Sequence, residues 1–334
     1  MNKQDARNTN SARVTSLRRW LASWEAALIL LLAAVIVLNS LLSPYFLDWL
    51  NLIDSTFSFS EQALIALPMA YLIIAREIDV SVASIVALSA VMMGLAGEAG
   101  FGSWAIICTG LLTGLLAGLL NGVIVTALGV HSIVVTIGTL SLYRGIAVAI
   151  VRDKALTTFP RDFFVWGRNY IGGVLPVEFA IFLIATIIFG VTLHRTVFGQ
   201  RIFAIGANPE AAEYSGVRTK RYRIGLFVLT GLISGLAAIL LVSRLGSVRL
   251  NIATGWELQV ITMVVLGGVS IAGGAGTILG VTLAVFLIGW FTFGLSLINV
   301  PGIVVNLFVG LMLIGAIAIP SVARALMRFF ARSR

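Results

Sequence analysis

HRTVFGQRIFAIGANPEAAEYSGVRTKRYR, residues 194–223, is the stretch on which the reading of this chain turns. It is polar and basic, carrying Arg195, Arg201, Arg218, Lys220, Arg221 and Arg223, and it separates two long apolar runs. Inside it lies the signature of a short helix. Asn208 suits the N-cap, and Pro209 suits the first helical position, where a missing N–H costs nothing. Glu210 complements the positive end of the helix, and Gly216 can close its C-terminus. A helix this short is marginal alone in water, so the pattern predicts that it docks against something.

The sequence around it is strongly apolar: 59 % of residues are hydrophobic, 11 % are charged, and the mean hydropathy is +1.03. Long apolar runs recur, each able to cross a hydrocarbon layer roughly 30 Å thick. They are continuous rather than alternating, which excludes a β-barrel. The expected fold class is all-α, a polytopic transmembrane helical bundle. Segments are expected at 26–46, 57–75, 82–97, 104–128, 132–151, 173–193, 224–243, 257–272, 276–297 and 302–319. That makes about ten, with eight as the lower bound.

A net charge of +9 invites a nucleic-acid reading, but the positions of the charges argue for topology instead. Lys3, Arg7, Arg13, Arg18 and Arg19 precede the first run, and Arg324, Arg328, Arg332 and Arg334 follow the last. With Arg76 and the six cations of 194–223, these fall on one side of a ten-segment bundle. Arg152, Lys154, Arg161, Arg168, Arg244 and Arg249 fall on the other, and Arg144 lies within a segment. The positive-inside rule places both termini and the 194–223 loop in the cytoplasm. The expected organisation is a cytoplasmic tail at 1–25, a membrane domain at 26–320 and a basic cytoplasmic tail at 321–334. The first apolar run is longer than a signal-peptide core, so a retained first helix is expected.

Several chemistries lack their residues. No P-loop motif occurs, so ATP hydrolysis is not expected of this chain. In VVLGGVSIAGGAGTILG (264–280) the dinucleotide spacing fails, because Leu279 stands where the last glycine is needed. The two histidines, His131 and His194, have no neighbouring carboxylate in sequence, and the lone Cys108 lies in an apolar run. No metal site, disulfide, catalytic residue or cofactor is expected. Ionisable residues that would serve ion-coupled transport are sparse, with Glu77, Asp79 and Glu257 the candidates at membrane edges. Energy for transport is expected from another chain. Gly114, Gly118 and Gly122 recur every fourth residue, as do Gly231 and Gly235, a spacing for close helix packing.

A second polar feature, REIDVSVAS at 76–84, interrupts apolar sequence. Irregular backbone within a membrane needs protein or a water-filled cavity beside it. Asp79 and Ser81 therefore either lie near a translocation path or cap the following helix, and the two roles are compatible. Asn121, Thr136, Thr139, Ser141 and Tyr143 are polar residues inside apolar segments, with Thr136 and Thr139 on one face. They either line a path or bond within and between helices.

These pieces, taken in order, resemble the permease subunits of bacterial ATP-binding-cassette importers of the ribose, xylose, rhamnose and autoinducer-2 type. The likeness runs through REIDVSVAS, GLLNGVIVT (118–126), IVVTIGTLSLYRG (133–145), FGQRIFAIGANPEAAEYSGV (198–217) and VVLGGVSIAGGAGTILG. It implies that 194–223 holds the coupling helix that rests in a cleft of a cytoplasmic ATPase, with Asn208, Pro209, Glu210, Ala211, Ala212 and Gly216 as the contact element. Ala211, Ala212 and Tyr214 would offer an apolar contact within a polar rim. The resemblance further implies an inner-membrane location, a second permease subunit, identical or related, and a periplasmic sugar-binding protein. The expected function is a non-hydrolytic permease for a monosaccharide or sugar-like molecule, working by alternating access. A branched-chain amino-acid permease of the same superfamily and a secondary carrier are the alternatives. Arg76-Glu77 stand where the family has a glycine pair, Ala83 where it has glycine, and His131 where proline is frequent.

Overall fold

The apolar runs fold as helices whose ends are set by residues that satisfy open backbone groups. The computed structural model describes residues 23–152 and 154–332, those after Ala318 as backbone. The expected N-terminal tail, with Lys3, Arg7, Arg13, Arg18 and Arg19, therefore lies almost wholly outside the described residues. So do Arg334 and the side chains of Arg324, Arg328 and Arg332. Ser23 accepts a hydrogen bond from Ala26 N at 3.2 Å and starts α1 (Trp24–Leu42). Asp48 accepts from Leu50 N and Asn51 N and starts α2 (Trp49–Ser55). A 3-10 turn at Thr56–Ser58 leads to α3 (Ser60–Ile74), which bends away by 52°.

After the break come α4 (Val82–Glu98), α5 (Ser103–Leu128) and α6 (Ser132–Val151). A 3-10 turn at Arg161–Phe164 and a single helical turn, α7 (Val165–Arg168), precede a small antiparallel hairpin. Its strands, β1 (Tyr170–Ile171) and β2 (Leu175–Pro176), pair Tyr170 with Pro176 and Ile171 with Leu175. Then follow α8 (Val177–Arg195), α9 (Val197–Ala207), α10 (Pro209–Tyr214) and α11 (Thr219–Leu245). The order closes with α12 (Trp256–Leu266), α13 (Ile278–Leu297) and α14 (Gly302–Arg332).

Every expected apolar segment coincides with a helix, but ten full crossings are not what the lengths give. Six described helices, α1, α5, α6, α8, α11 and α13, are long and apolar enough to cross a membrane, or seven if the bent α2–α3 pair counts as one. At 15 residues α3 reaches about 22 Å, and at 11 residues α12 reaches about 16 Å, both short of a 30 Å layer. Helix α3 stops at the polar 76–84 stretch, as its sequence marks, whereas after α12 the apolar sequence continues as irregular backbone through residues 267–272, and composition does not mark that change. Residues 194–223, expected as a loop, are mostly helical as well: α8 ends there, α9 and α10 lie within it, and α11 begins at Thr219.

The helix α3 is the hub. All of its residues are buried, and beyond its polar first turn (Ser60, Glu61 and Gln62) it is apolar on every side, as suits a helix enclosed by others. Conversely, α1, α6 and α8 show large apolar side chains outward, among them Leu30, Leu41, Val134, Ile184 and Ile187. That pattern fits a bundle whose outer surface meets lipid rather than water. The glycine spacings have the expected consequence. A Cβ on Gly114 would collide with Gly231 O and the Gly235 backbone, and one on Gly118 with the backbone of Phe227 and Gly231. Thus α5 and α11 touch backbone to backbone.

Candidate functional site

The short helix predicted at 208–216 is present with the predicted ends. Asn208 terminates α9, donating its N–H to Ala204 O at 3.1 Å, and starts α10, its Oδ1 accepting from Ala211 N at 3.1 Å. Pro209 is at the first turn. Gly216 takes φ +85°, and two bonds close the C-terminus: Gly216 N to Glu213 O at 2.9 Å and Val217 N to Ala212 O at 3.0 Å. This pairing needs a left-handed residue between its two donors, a conformation glycine adopts without steric cost.

The helix is presented outward. Tyr214 is 93 % exposed, and Asn208, Glu210, Ala211, Glu213 and Gly216 are exposed with it, while Pro209 is half-buried. Ala212 differs from expectation: at 5 % exposure it faces the subunit itself and cannot offer an apolar contact to a partner. The outward surface is instead Glu210, Ala211, Glu213 and Tyr214. The mount is stiff, since α9 buries Ile202 and Ile205, and Arg201 Nη1 donates to Tyr222 Oη at 2.8 Å while Phe198 stacks on the Tyr222 ring.

At its inner end α9 meets the break between α3 and α4. A Cβ on Gly206 would strike Ile74 O, and Gly274 N donates to that same carbonyl at 2.8 Å. Helix α3 closes with Arg76 N bonded to Ile73 O at 3.0 Å and Glu77 N to Leu72 O at 2.8 Å. Arg76 is therefore the left-handed residue of this cap, with φ +65°, a place that favours glycine. Its guanidinium donates to Ala207 O at 2.8 Å, and Glu77 Oε1 lies 3.0 Å from Arg223 Nε.

The break itself is held by side chains from α5 and α6. Asp79 Oδ1 accepts from Ser81 N at 2.8 Å and from Ser81 Oγ at 2.6 Å. Asn121 Nδ2 donates to Ser81 Oγ at 2.8 Å and lies 3.3 Å from Asp79 Oδ2. Tyr143 Oη sits 3.1 Å from Asn121 Oδ1 and 3.0 Å from Ala117 O, sharing one proton between them. Ser132 Oγ accepts from Ile78 N at 3.0 Å, and Thr136 Oγ1 accepts from Val80 N at 3.2 Å. The peptide groups of an irregular segment are thus paired by protein, which is what makes it tolerable at membrane depth.

Of the residues considered for a translocation path, Asp79, Ser81, Asn121 and Thr136 come together in this enclosed cluster. Thr139 lies beside it, its hydroxyl directed at Thr136 O, whereas Ser141 is exposed on another face of α6. Ser81 stands at the N-cap position of α4 without capping it, because its hydroxyl is engaged by Asp79 and Asn121.

The opposite end of the bundle holds a charged cluster that sequence reasoning missed. Arg244, in the last turn of α11, donates Nε and Nη2 to Glu61 Oε1 at 2.9 and 2.6 Å and lies 3.8 Å from Glu178 Oε2. Both carboxylates are fully buried. Each acid occupies the first turn of its helix and reads in sequence as a complement to the helix dipole; only the fold brings the three together. Nearby, Ser243 Oγ accepts from Gly167 N and donates to Phe163 O, and Arg168 Nε donates to Arg244 O, fixing α7 on α11. Tyr170 in the hairpin donates to Asp54 Oδ1 at 2.8 Å, and that bond raises the pKa of the phenol above its ordinary range.

Comparison with known proteins agrees with this architecture. Residues 51–317 match the family described as branched-chain amino acid transport system / permease component. Among curated relatives, the autoinducer 2 import system permease protein LsrD of Klebsiella pneumoniae is 36 % identical over 298 residues, covering 87 % of this chain and 90 % of that protein. The protein of the same name from Photorhabdus temperata is 35 % identical over 300 residues, 88 % of this chain and 90 % of its own length. That of Escherichia coli K12 is 36 % identical over 297 residues, with 87 % and 90 % covered. No solved structure matches significantly. With its helical bundle, its broken helix and this match along most of its length, the chain belongs to that family of transport-system permease components.

Proposed function

We propose that the chain is the non-hydrolytic permease subunit of an ATP-driven, binding-protein-dependent importer in a bacterial inner membrane, with a monosaccharide or sugar-like molecule as cargo. The observation that carries this reading is α10, a helix of six residues capped at both ends and displayed outward on a rigid mount. Such an element suits the cleft of a cytoplasmic ATPase, where Tyr214 would supply the apolar contact and Glu210 and Glu213 the rim. Closure of an ATPase dimer would then push α10 and rock the helices of two permeases about a shared cavity. The basic excess on the α10 side supports cytoplasmic termini. A periplasmic binding protein would deliver cargo at the opposite end.

For the cargo, relatives aligned along most of the chain are named for import of autoinducer 2, whereas the family description names branched-chain amino acids. The named relatives favour the sugar-like class. Uptake in proteoliposomes tests both points. Labelled sugar-like cargo should accumulate only with ATP, an ATPase and a binding protein, and leucine should not compete. Uptake by this chain alone on an ion gradient would overturn the reading in favour of a secondary carrier, and competition by leucine would overturn the cargo class.

A further inference from the structure

Arg76 and Glu77, adjacent in sequence, hold the two flanks of α10. Arg76 bonds Ala207 O, at the end of α9, and Glu77 pairs with Arg223, in the second turn of α11, so the two residues hold the helices on either side of α10. We propose that these two residues form a yoke that carries displacement of α10 to the α3–α4 break, so that they set how much transport each ATP yields. The proposal rests on the reading that α10 receives the ATPase.

Three features support a linking role over a merely local one. Each connected part is complete without the yoke. Asn208 and Gly216 cap α10, and Ser132, Thr136, Asn121 and Asp79 hold the break. Second, Arg76 occupies a left-handed position at φ +65° that glycine would fill with less strain. The side chain there is kept against a backbone preference, its stem packed over Gly273 and its head on Ala207 O. Third, the pair Glu77–Arg223 is largely shielded, with side-chain exposures of 7 % and 28 %, so water and salt weaken it less than a surface pair. Beneath Glu77 the chain passes within two residues into Asp79, already bonded to α5 through Asn121. Movement of α10 would therefore reach α3, α4 and α5 by way of α9 and α11, through a hydrogen bond at Arg76 and an ion pair at Glu77.

The test uses the full complex in proteoliposomes and measures cargo carried per ATP hydrolysed. The variants are Arg76→Gly, Glu77→Gln, Arg223→Glu and the exchange Glu77→Arg with Arg223→Glu. Arg76→Gly relaxes the backbone while removing the hydrogen bond, so a loss cannot be ascribed to strain. Each single variant should insert and bind the ATPase as the parent does, with cargo per ATP lowered about tenfold, the scale of ordinary intersite coupling. The exchange should recover much of what Arg223→Glu loses. Parental cargo per ATP in both Arg76→Gly and Glu77→Gln would overturn the yoke while leaving ATP-driven uptake intact. Loss of ATPase binding in both would also overturn it, since α10 is held to stand without the yoke. If the parent itself transports without an ATPase, the coupling reading falls and the yoke with it.

Discussion

Arg244 Nη2 lies 2.6 Å from Glu61 Oε1, although 183 positions separate the two residues. Glu178 is drawn to the same guanidinium from a third helix, so α3, α8 and α11 meet at one cation with two carboxylates around it. Three of the four carboxylate oxygens, Glu61 Oε2 and both of Glu178, have no hydrogen-bonding partner among the described residues.

This imbalance orders three substitutions. Arg244→Ala abandons two buried carboxylates and should destabilise most, by about 2–4 kcal/mol, below the usual range for breaking a buried pair because Arg244 is partly exposed. Glu61→Gln leaves Arg244 with Glu178 as its ion partner and should cost about half as much. Glu178→Gln removes the less well-paired carboxylate and should be neutral or stabilising. Thermal unfolding in detergent checks the order, and a less stable Glu178→Gln than Arg244→Ala would contradict it.

The α5–α11 contact predicts a sharp contrast between glycines. Gly114→Val would push side-chain atoms into Gly231 O and the Gly235 backbone, neither of which can swing aside. It should cost about 3 kcal/mol, the upper range for overpacking, and lower the yield of folded protein in the membrane. Gly138 has nothing within 4 Å of its Cβ position, so Gly138→Ala should leave the melting temperature unchanged or slightly raised.

At the break, Asp79→Ala would strip partners from Ser81 N and Ser81 Oγ and take away the carboxylate facing Asn121 Nδ2, all in an enclosed site. An unpaired buried polar group costs about 1–3 kcal/mol, so the loss should fall at the upper end of that range. Hydrogen exchange should rise at the start of α4 while α10 stays protected. Unchanged exchange at α4 would mean that the cluster does not hold the break.

For α10, Tyr214→Ala should alter stability by less than about 0.5 kcal/mol, since the side chain is almost fully exposed. Affinity for the ATPase should nonetheless fall about tenfold, as expected for an aromatic anchor in a partner's pocket. Asn208→Ala removes the cap and should cost about 1 kcal/mol, loosening α10 first. Ala212, facing inward, should tolerate neither charge nor bulk, which distinguishes it from Ala211 in a pull-down with the ATPase.

Much of this architecture is visible in sequence wherever its cause is local. The signals for α10 are the capping residues Asn208, Pro209 and Gly216, and they act within the helix they bound. The glycines of α5 and α11 declare themselves by a spacing that helical geometry places on one face. What needs the fold is of another kind. Arg244, Glu61 and Glu178 carry no shared pattern, and Ala212 differs from Ala211 only in which side of one helical turn meets the protein. The length of α12 also escapes sequence, because the irregular backbone at 267–272 is nearly as apolar as the helix before it. Arg76 is legible only in part. Its departure from a glycine pair marks the position, while its bond to Ala207 O depends on where α9 ends.

We propose that ATP-derived work enters the permease at α10. The most direct measurement replaces residues 208–216 with a flexible glycine–serine segment of equal length and follows both ATPase binding and ATP-driven uptake. Normal membrane insertion, no ATPase association and no uptake are the expected results. Full uptake after that replacement would contradict this role of α10.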